Sequence, residues 1–454
     1  MINIQAENTD FNISYIKKMT IYALGLYFIL MVFYYFSGYK EDVPFYMEAC
    51  RFVLYIYAVF MLMSAFLTVS TKSLLLVNAF LYLLIVIFIK YTYSHEMLDY
   101  FANAVDSYSY LNYATMYGDT NAVVFIGKLT DIGYFRDDLG YFFFLWTINK
   151  IYPDINFVIY CAIFLNVIAL YISSVFLYKL QMLLTGSDIL SRFTSLFYSC
   201  SAFLVITTAN GLKEVIFLTF IIISVYYIYK LKNKFSFRSL LIFLFSSFFC
   251  LFFRTAVFYM LMVTLIVAFT ANMISKKMFL VIILVGFGLV YVLLPYVIDN
   301  FMDTTIEDVT RVAEHRINIR GYNKSIVSQI TPIISAILGP YPNFDRTGAY
   351  AFVHSLTPFM KCFFGFAFLS GLYTVIKETK SEYYPLLTYV FMSVYMTVLA
   401  GVSLDIRYHF TYFPFFLILS FNFFRKHKWF DLAYICIAII MMYMYSTRNM
   451  FDSH

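Results

Sequence analysis

The chain has 454 residues, 62% of them hydrophobic and only 13% charged, with a mean hydropathy of +0.77 and a formal net charge of +6. Soluble domains carry about 25% charged residues, and the apolar runs here recur at about 17–22 residues, close to the roughly 20 that a helix needs to cross a bilayer. A soluble globular domain is excluded, and a β-barrel is disfavoured because its strands would alternate in character over about 10 residues. The expected fold is an all-α polytopic integral membrane protein, one membrane domain over 1–454, with about 13 transmembrane helices (12–14).

In chain order, Lys17 and Lys18 precede a first span at about 19–37, and spans follow at about 51–69 and 73–91. The first apolar run is too long for a signal-peptide core and has no small-residue cleavage site after it. By the positive-inside rule the N-terminus is cytoplasmic and the loop after the third span is outside. That outer loop, about 93–154, is acidic, with Asp106, Asp119, Asp131, Asp137 and Asp138 among its residues. Within it LGYFFFLWTINKI (139–151) is apolar but too short to cross, and reads as an interfacial or re-entrant helix. With 139–151 kept outside, Lys179, Arg192, KLKNKFSFR (230–238), Lys276 and Lys277, KETKSE and RKHK all fall inside. The spans between them lie at about 155–178, 193–209, 215–230, 239–253, 255–273, 278–297, 356–376, 384–402, 410–424 and 429–446.

The longest polar interruption is the outer loop 298–355. It carries Asp299, Asp303, Glu307 and Asp308 first and Arg311, Arg316, Arg320, Lys324 and Arg346 later, so its signs are segregated. This loop reads as a lid. The other informative residues are charges in tight outer turns next to the membrane. Lys213 and Glu214 sit in ANGLKE, Arg254 stands between FFCLFF and TAVFYM, Asp405, Arg407 and His409 sit in SLDIRYH, and Asp106 opens the aromatic segment DSYSYLNYA. A charge in hydrocarbon costs at least about 2.5–3.5 kcal/mol on insertion scales, so such residues tend to be functional. Each also has a plain reading. Lys213 and Glu214 could pair locally, Arg254 could snorkel to lipid phosphate, Arg407 could pair with Asp405, and Asp106 could cap a helix. Together they place the cations of one leaflet in near-membrane turns, while the other leaflet carries ordinary lysine-rich loops.

Arginine grips phosphate with two parallel hydrogen bonds. A pyrophosphate at a membrane surface is the head group of a polyprenyl-linked sugar donor, and cations that stabilise its departure supply much of the catalysis. The substrate-binding candidates are therefore Lys213, Arg254, Arg311, Arg316, Arg320, Arg346, Arg407 and His409. An acceptor hydroxyl needs a base, for which Asp106, Glu214 and His354 are the candidates. No metal and no cofactor is called for. The chain has no P-loop, GxGxxG, HExxH or GxSxG, and its six cysteines form no CxxC pair. The 22% aromatic content, with 54 Phe and 43 Tyr, reads first as compositional bias and second as a sugar-stacking surface.

The layout resembles the Wzy-type O-antigen and capsular polysaccharide polymerases and related membrane proteins of exopolysaccharide clusters. The resemblance rests on DSYSYLNYA in the first outer loop, NGLKE opening a span, the lone Arg254, LGPYP (338–342) in the late outer loop and RYHFTYFP (407–414). It implies a bacterial inner-membrane enzyme that joins polyprenyl-pyrophosphate-linked oligosaccharide repeats on the periplasmic face. A flippase and a chain-length regulator would be its protein partners, membrane lipid its surroundings, and nucleic acid is not among its ligands. It also implies that Arg311, Arg316, Arg320 and Arg346 bind the lipid pyrophosphate. The first large loop here is acidic, whereas the family's two substrate-binding loops are arginine-rich. The layout is similar, too, to GT-C glycosyltransferases, which place an Asp in a large first outer loop followed by interfacial helices and use a polyprenyl-phosphate sugar donor. Asp106 and 139–151 match that arrangement. The alternative from another class is a polysaccharide-lipid flippase, which should show paired repeats and broken helices.

Overall fold

The structure, a computed structural model, describes residues 13–36, 45–94, 105–131, 136–273, 326–340, 355–400 and 405–422, with isolated positions between and after them. Arg311, Arg316, Arg320, Arg346 and His354, most of the ninth expected span and nearly all of the thirteenth lie outside the described residues. The described residues are helical, without strands, and divide into two compact units. The first comprises 1–261 with 344–357, and the second 262–343 with 358–454.

In the first unit the helices are α1 (Ile13–Phe36), α2 (Phe45–Ser64), α3 (Thr71–Ser94), α4 (Val105–Met116), α5 (Ala122–Asp131), α6 (Arg136–Ile151), α7 (Ile155–Thr185), α8 (Asp188–Ser199), α9 (Ala202–Ala209), α10 (Glu214–Asn233), α11 (Phe237–Leu251) and the start of α12 (Thr255–Thr270). At 31 residues α7 is the longest of them, about 46 Å at 1.5 Å per residue, more than the roughly 30 Å of hydrocarbon. Its ends are set by sequence. Asp154 accepts from Phe157 N at 2.7 Å, and Gly186, at φ 67°, donates to Met182 O. Ser187 then caps α8 through Leu190 N.

Packing in this unit is apolar, with hydroxyl and amide pairs between helices. Thr219 of α10 donates to Ala169 O of α7 at 2.9 Å, and Ser224 of α10 bonds Ser246 of α11 at 2.8 Å. Small hydroxyl residues let membrane helices approach closely and satisfy one another. Arg192 of α8 is buried, pairs with Asp188 at 2.7 Å and donates to Leu67 O and Val69 O just beyond the end of α2. The rings pack chiefly on each other, as in the stacks of Phe220 on Phe249 and Phe125 on Trp146. Other large apolar side chains face outward, among them Phe80 at 60% and Ile266 at 62% exposed. A water-facing surface rarely shows many such side chains, whereas lipid accepts them.

The second unit holds the rest of α12, α13 (Ile326–Leu338), α14 (Leu356–Lys377) from Pro358 onward, a 3-10 turn (Ser381–Tyr383), α15 (Tyr384–Leu399), α16 (Ile406–His409) and α17 (Phe413–Asn422). Every residue of α17 is buried. Its Phe416 stacks on Phe368 of α14 at 4.5 Å between ring centres, and Phe415 meets the edge of Tyr389 of α15.

Five described helices are long and apolar enough to cross a membrane: Ile13–Phe33, Thr71–Thr92, Ile155–Thr185, Glu214–Asn233 and Leu356–Lys377. A sixth crossing is available if the α8–α9 pair counts as one. The chain is thus a helical membrane-embedded protein. The expected span at 193–209 is not one continuous helix. It breaks at Cys200 and Ser201, and the two pieces meet at 43°. The broken backbone is tolerated because it is buried in protein, where side chains satisfy it. Thr357 Oγ1 accepts from Phe203 N at 3.3 Å and bonds Ser201 Oγ at 3.0 Å. From α3, Asn78 donates to Ser199 Oγ at 2.9 Å, and Tyr82 donates to Leu204 O and bonds Thr208 Oγ1, both at 2.6 Å.

Candidate functional site

The turn between α9 and α10 carries the first group of candidates. Gly211, at φ 61°, lets the chain reverse within a few residues, a conformation that costs a side-chain-bearing residue about 1–2 kcal/mol. The reversal leaves Lys213 and Glu214 both 3% exposed, although each carries a formal charge. Burying a charge is unfavourable unless it is paired and hydrogen-bonded. Lys213 is met by groups from three other segments. It pairs with Asp138 of α6, donates to Phe253 O at 3.4 Å, and lies 5.8 Å from the centre of the Tyr110 ring. Beyond its own turn, Lys213 thus forms a salt bridge to a distant segment.

The 139–151 segment is part of a helix, α6, and this helix builds the wall of the site. Gly140 N donates to Phe252 O at 3.0 Å. A Cβ at Gly140 would come within 2.8 Å of Phe252 Cβ, so α6 approaches the α11–α12 turn as closely as a glycine permits. The next residue, Tyr141, donates to Gly211 O at 2.6 Å and fixes the other turn. Tyr110 of α4 sets its ring edge-on to Tyr141 and Phe142, with centres 5.3 and 4.8 Å apart. Asp106 stands one turn before Tyr110, in the first turn of α4, where the helix dipole favours a carboxylate.

Arg254 follows Phe253 directly, and its guanidinium carbon lies 5.7 Å from the centre of the Phe217 ring of α10. The structure therefore places Lys213 beside the Tyr110 ring of α4 and Arg254 beside the Phe217 ring of α10, with Asp106 in the first turn of α4. Another buried cation of the unit, Arg51 of α2, is 2% exposed and donates to Ser355 Oγ at 3.3 Å, a hydroxyl that also bonds Tyr27 OH at 2.7 Å. Ser355 directly precedes Leu356, so α1 and α2 hold the start of the helix that begins there.

Arg407 and His409 belong to the second unit. Asp405 accepts from Arg407 N at 3.0 Å and so caps α16. His409 is fully buried, and its Nδ1 lies 2.6 Å from Lys361 Nζ. Lys361 is fully buried too, donates to Ala336 O at 3.2 Å, and also bonds Gly339 O. Among the described residues no group of three His, Cys, Asp or Glu gathers as a metal site.

Three functional candidates escaped the sequence reading. Lys361 left a signal, a lysine inside the apolar run 356–376. Arg51 left a weaker one at the edge of a span. Asp138 left none, being one acid among several in a polar loop. Comparison with family models, with curated proteins and with solved structures gives no match. The class that fold and site define is a helical membrane protein with a buried lysine and carboxylate in one turn between its helices and further buried cations within them.

Proposed function

We propose that this chain is a polysaccharide polymerase of the bacterial inner membrane, acting on polyprenyl-pyrophosphate-linked oligosaccharide repeats at the periplasmic face. In this reading about 13 helices cross the membrane, with the N-terminus in the cytoplasm. The observation that carries the proposal is the buried Lys213–Glu214 turn, linked through Phe253 O to the Arg254 turn. It sets cations and a desolvated carboxylate together among tyrosine and phenylalanine rings.

The chemistry needs these groups. The bond between the anomeric carbon of the growing glycan and its phosphate oxygen breaks, and the pyrophosphate leaves with the electron pair. Arg254 and Lys213 stabilise the charge that builds on it. The new bond forms to a hydroxyl oxygen of the incoming repeat, and that hydroxyl's proton passes to Glu214 or Asp106. Arg311, Arg316, Arg320, Arg346 and Arg407 are the further phosphate ligands, His354 is a third candidate base, and the loop 298–355 closes over the lipid head groups. A GT-C transferase using a polyprenyl-phosphate donor would use the same cations with Asp106 as base.

Deleting the gene tests the polymerase reading. Polymerisation predicts a surface glycan reduced to a single repeat on its final acceptor. The transport reading has one observation in its favour, the broken α8–α9 pair, since discontinuous helices mark transporter sites. Loss of even the single repeat would select transport or an earlier transferase over polymerisation.

A further inference from the structure

One flank of α4 carries a row of rings that the reaction described above leaves unused. Asp106, Tyr110, Tyr113 and Tyr117 follow one another at spacings of four, three and four residues, so they share one face of the helix. Tyr117 comes just after the last helical residue, and its N–H still donates to Tyr113 O at 3.2 Å, which carries the turn on. The row is about 17 Å long at 1.5 Å per residue. It begins at a candidate base and passes Tyr110, the ring against which Lys213 lies. Tyr110 is buried, whereas Asp106, Tyr113 and Tyr117 are half-buried along the edge of the helix.

The outer rings are braced by their neighbours. The Tyr113 ring centre lies 6.2 Å from that of Phe142 in α6 and 6.3 Å from that of Tyr117, to which it is parallel within 7°. Trp146 of α6 donates its Nε1–H to Tyr117 O at 3.1 Å, and Asn149 leaves no room for a Cβ at Gly118, so the end of α4 is fixed tightly against α6. Rings held in this way lose little further freedom when a ligand settles on them.

The surroundings select the ligand. α4 and α5 both pack on α6, and α5 turns Val123 and Ile126 outward, as a short helix resting on a lipid surface does. That sets α4 at the level of the lipid head groups, where a lipid-linked glycan presents its sugars. Beside the rings stand the exposed Asn112 and Asp119, with Asp106 at the head of the row. Acyl chains reject carboxylates, and a phosphate is repelled by them. A sugar suits both kinds of neighbour. The C–H face of its ring lies on an aromatic ring, and its uncharged hydroxyls bond to amides and carboxylates.

We propose that Tyr113 and Tyr117 form a carbohydrate-binding flank on which sugar rings of the substrate stack, with the reacting end of the glycan toward Tyr110 and Lys213. That the glycan is a lipid-linked repeat rests on the polymerase reading, while the affinity of the flank for sugar rings does not.

The test uses the full chain in nanodiscs of phosphatidylethanolamine and phosphatidylglycerol. The probe is the set of oligosaccharides released by mild acid from the surface glycan of cells that carry the gene. In the wild type these sugars should protect Tyr113 and Tyr117 from nitration by tetranitromethane, read by mass spectrometry, and unprotected rings would overturn the proposal without any variant having to fold. Saturation-transfer NMR with irradiation of the aromatic protons should mark the sugar-ring C–H protons. The pair Tyr113→Leu and Tyr117→Leu keeps apolar bulk without rings and should weaken binding by about tenfold. The pair Tyr113→Phe and Tyr117→Phe keeps the rings and should bind as the wild type does. Undiminished binding by the leucine pair would reduce the tyrosines to anchors at the lipid surface and overturn the proposal, as would loss of binding by the phenylalanine pair. Protected rings in a protein whose deletion leaves glycan polymerisation intact would sink the polymerase reading and leave the flank standing. Unprotected rings in a protein whose deletion leaves a single repeat would sink the flank alone.

Discussion

Lys213, in the turn that opens α10, finds its counter-ion in Asp138 of α6, and the whole of α7, α8 and α9 lies between them in the chain. The pair ties the helix that holds the expected interfacial segment to a lysine that is 3% exposed. Removing one partner of a fully buried pair costs about 3–5 kcal/mol. The Asp138 side chain keeps 32% exposure, which screens part of the interaction. Asp138→Ala should therefore destabilise the protein by about 2 kcal/mol, read as a lower melting temperature in detergent. In a double-mutant cycle with Lys213→Met the two losses should be clearly less than additive. Additive losses would dissolve the pair.

Gly140 is where α6 meets the α11–α12 turn, and the space there admits no Cβ. Overpacking of this kind costs about 1–3 kcal/mol. Gly140→Ala should lower the melting temperature and, by lifting α6, loosen the hold of Tyr141 on the Gly211 turn. A melting temperature equal to wild type would mean that α6 does not sit this close.

Thr357 closes the break between α8 and α9 by accepting from Phe203 N. Thr357→Val keeps the shape and removes the hydroxyl, and should cost about 1 kcal/mol. Thr357→Ser should recover most of it. If both variants melt together, the hydroxyl is not what satisfies the break.

Arg254→Lys and Arg407→Lys separate phosphate binding from lipid snorkelling. A lysine snorkels as well as an arginine but cannot grip phosphate with a planar fork. Each variant should be present at wild-type level and lose at least about tenfold in polymer formed, the equivalent of about 1.4 kcal/mol in the transition state. Full activity in both would restore the snorkelling account.

An alkaline phosphatase fusion after Gly321 should be active, and one after Lys234 inactive, since the long loop belongs outside and the basic loop inside. The reverse pattern would invert the topology on which the periplasmic reaction depends.

Much of the helical layout was legible because apolar runs of bilayer length leave few alternatives. α1, α3, α7, α10 and α14 fall where spans were expected. The break in α8–α9 was not legible, since SCSAFLV reads as apolar and carries neither glycine nor proline. What opens the helix there is the set of partners from α3 and from Thr357, residues far away in sequence. The candidate turns at Lys213 and Arg254 stood out because a charge beside hydrocarbon is costly and therefore conspicuous.

The sequence by itself determined that this is a helical membrane protein and which charges sit against the apolar runs, because hydropathy and span length are local properties of the chain. Only the tertiary structure decided what those charges touch. Asp138 against Lys213, Ser355 against Arg51, and two backbone carbonyls with one imidazole against Lys361 are each joined by packing between distant segments. A buried charge must be satisfied, but nothing in its own stretch of sequence says by which group.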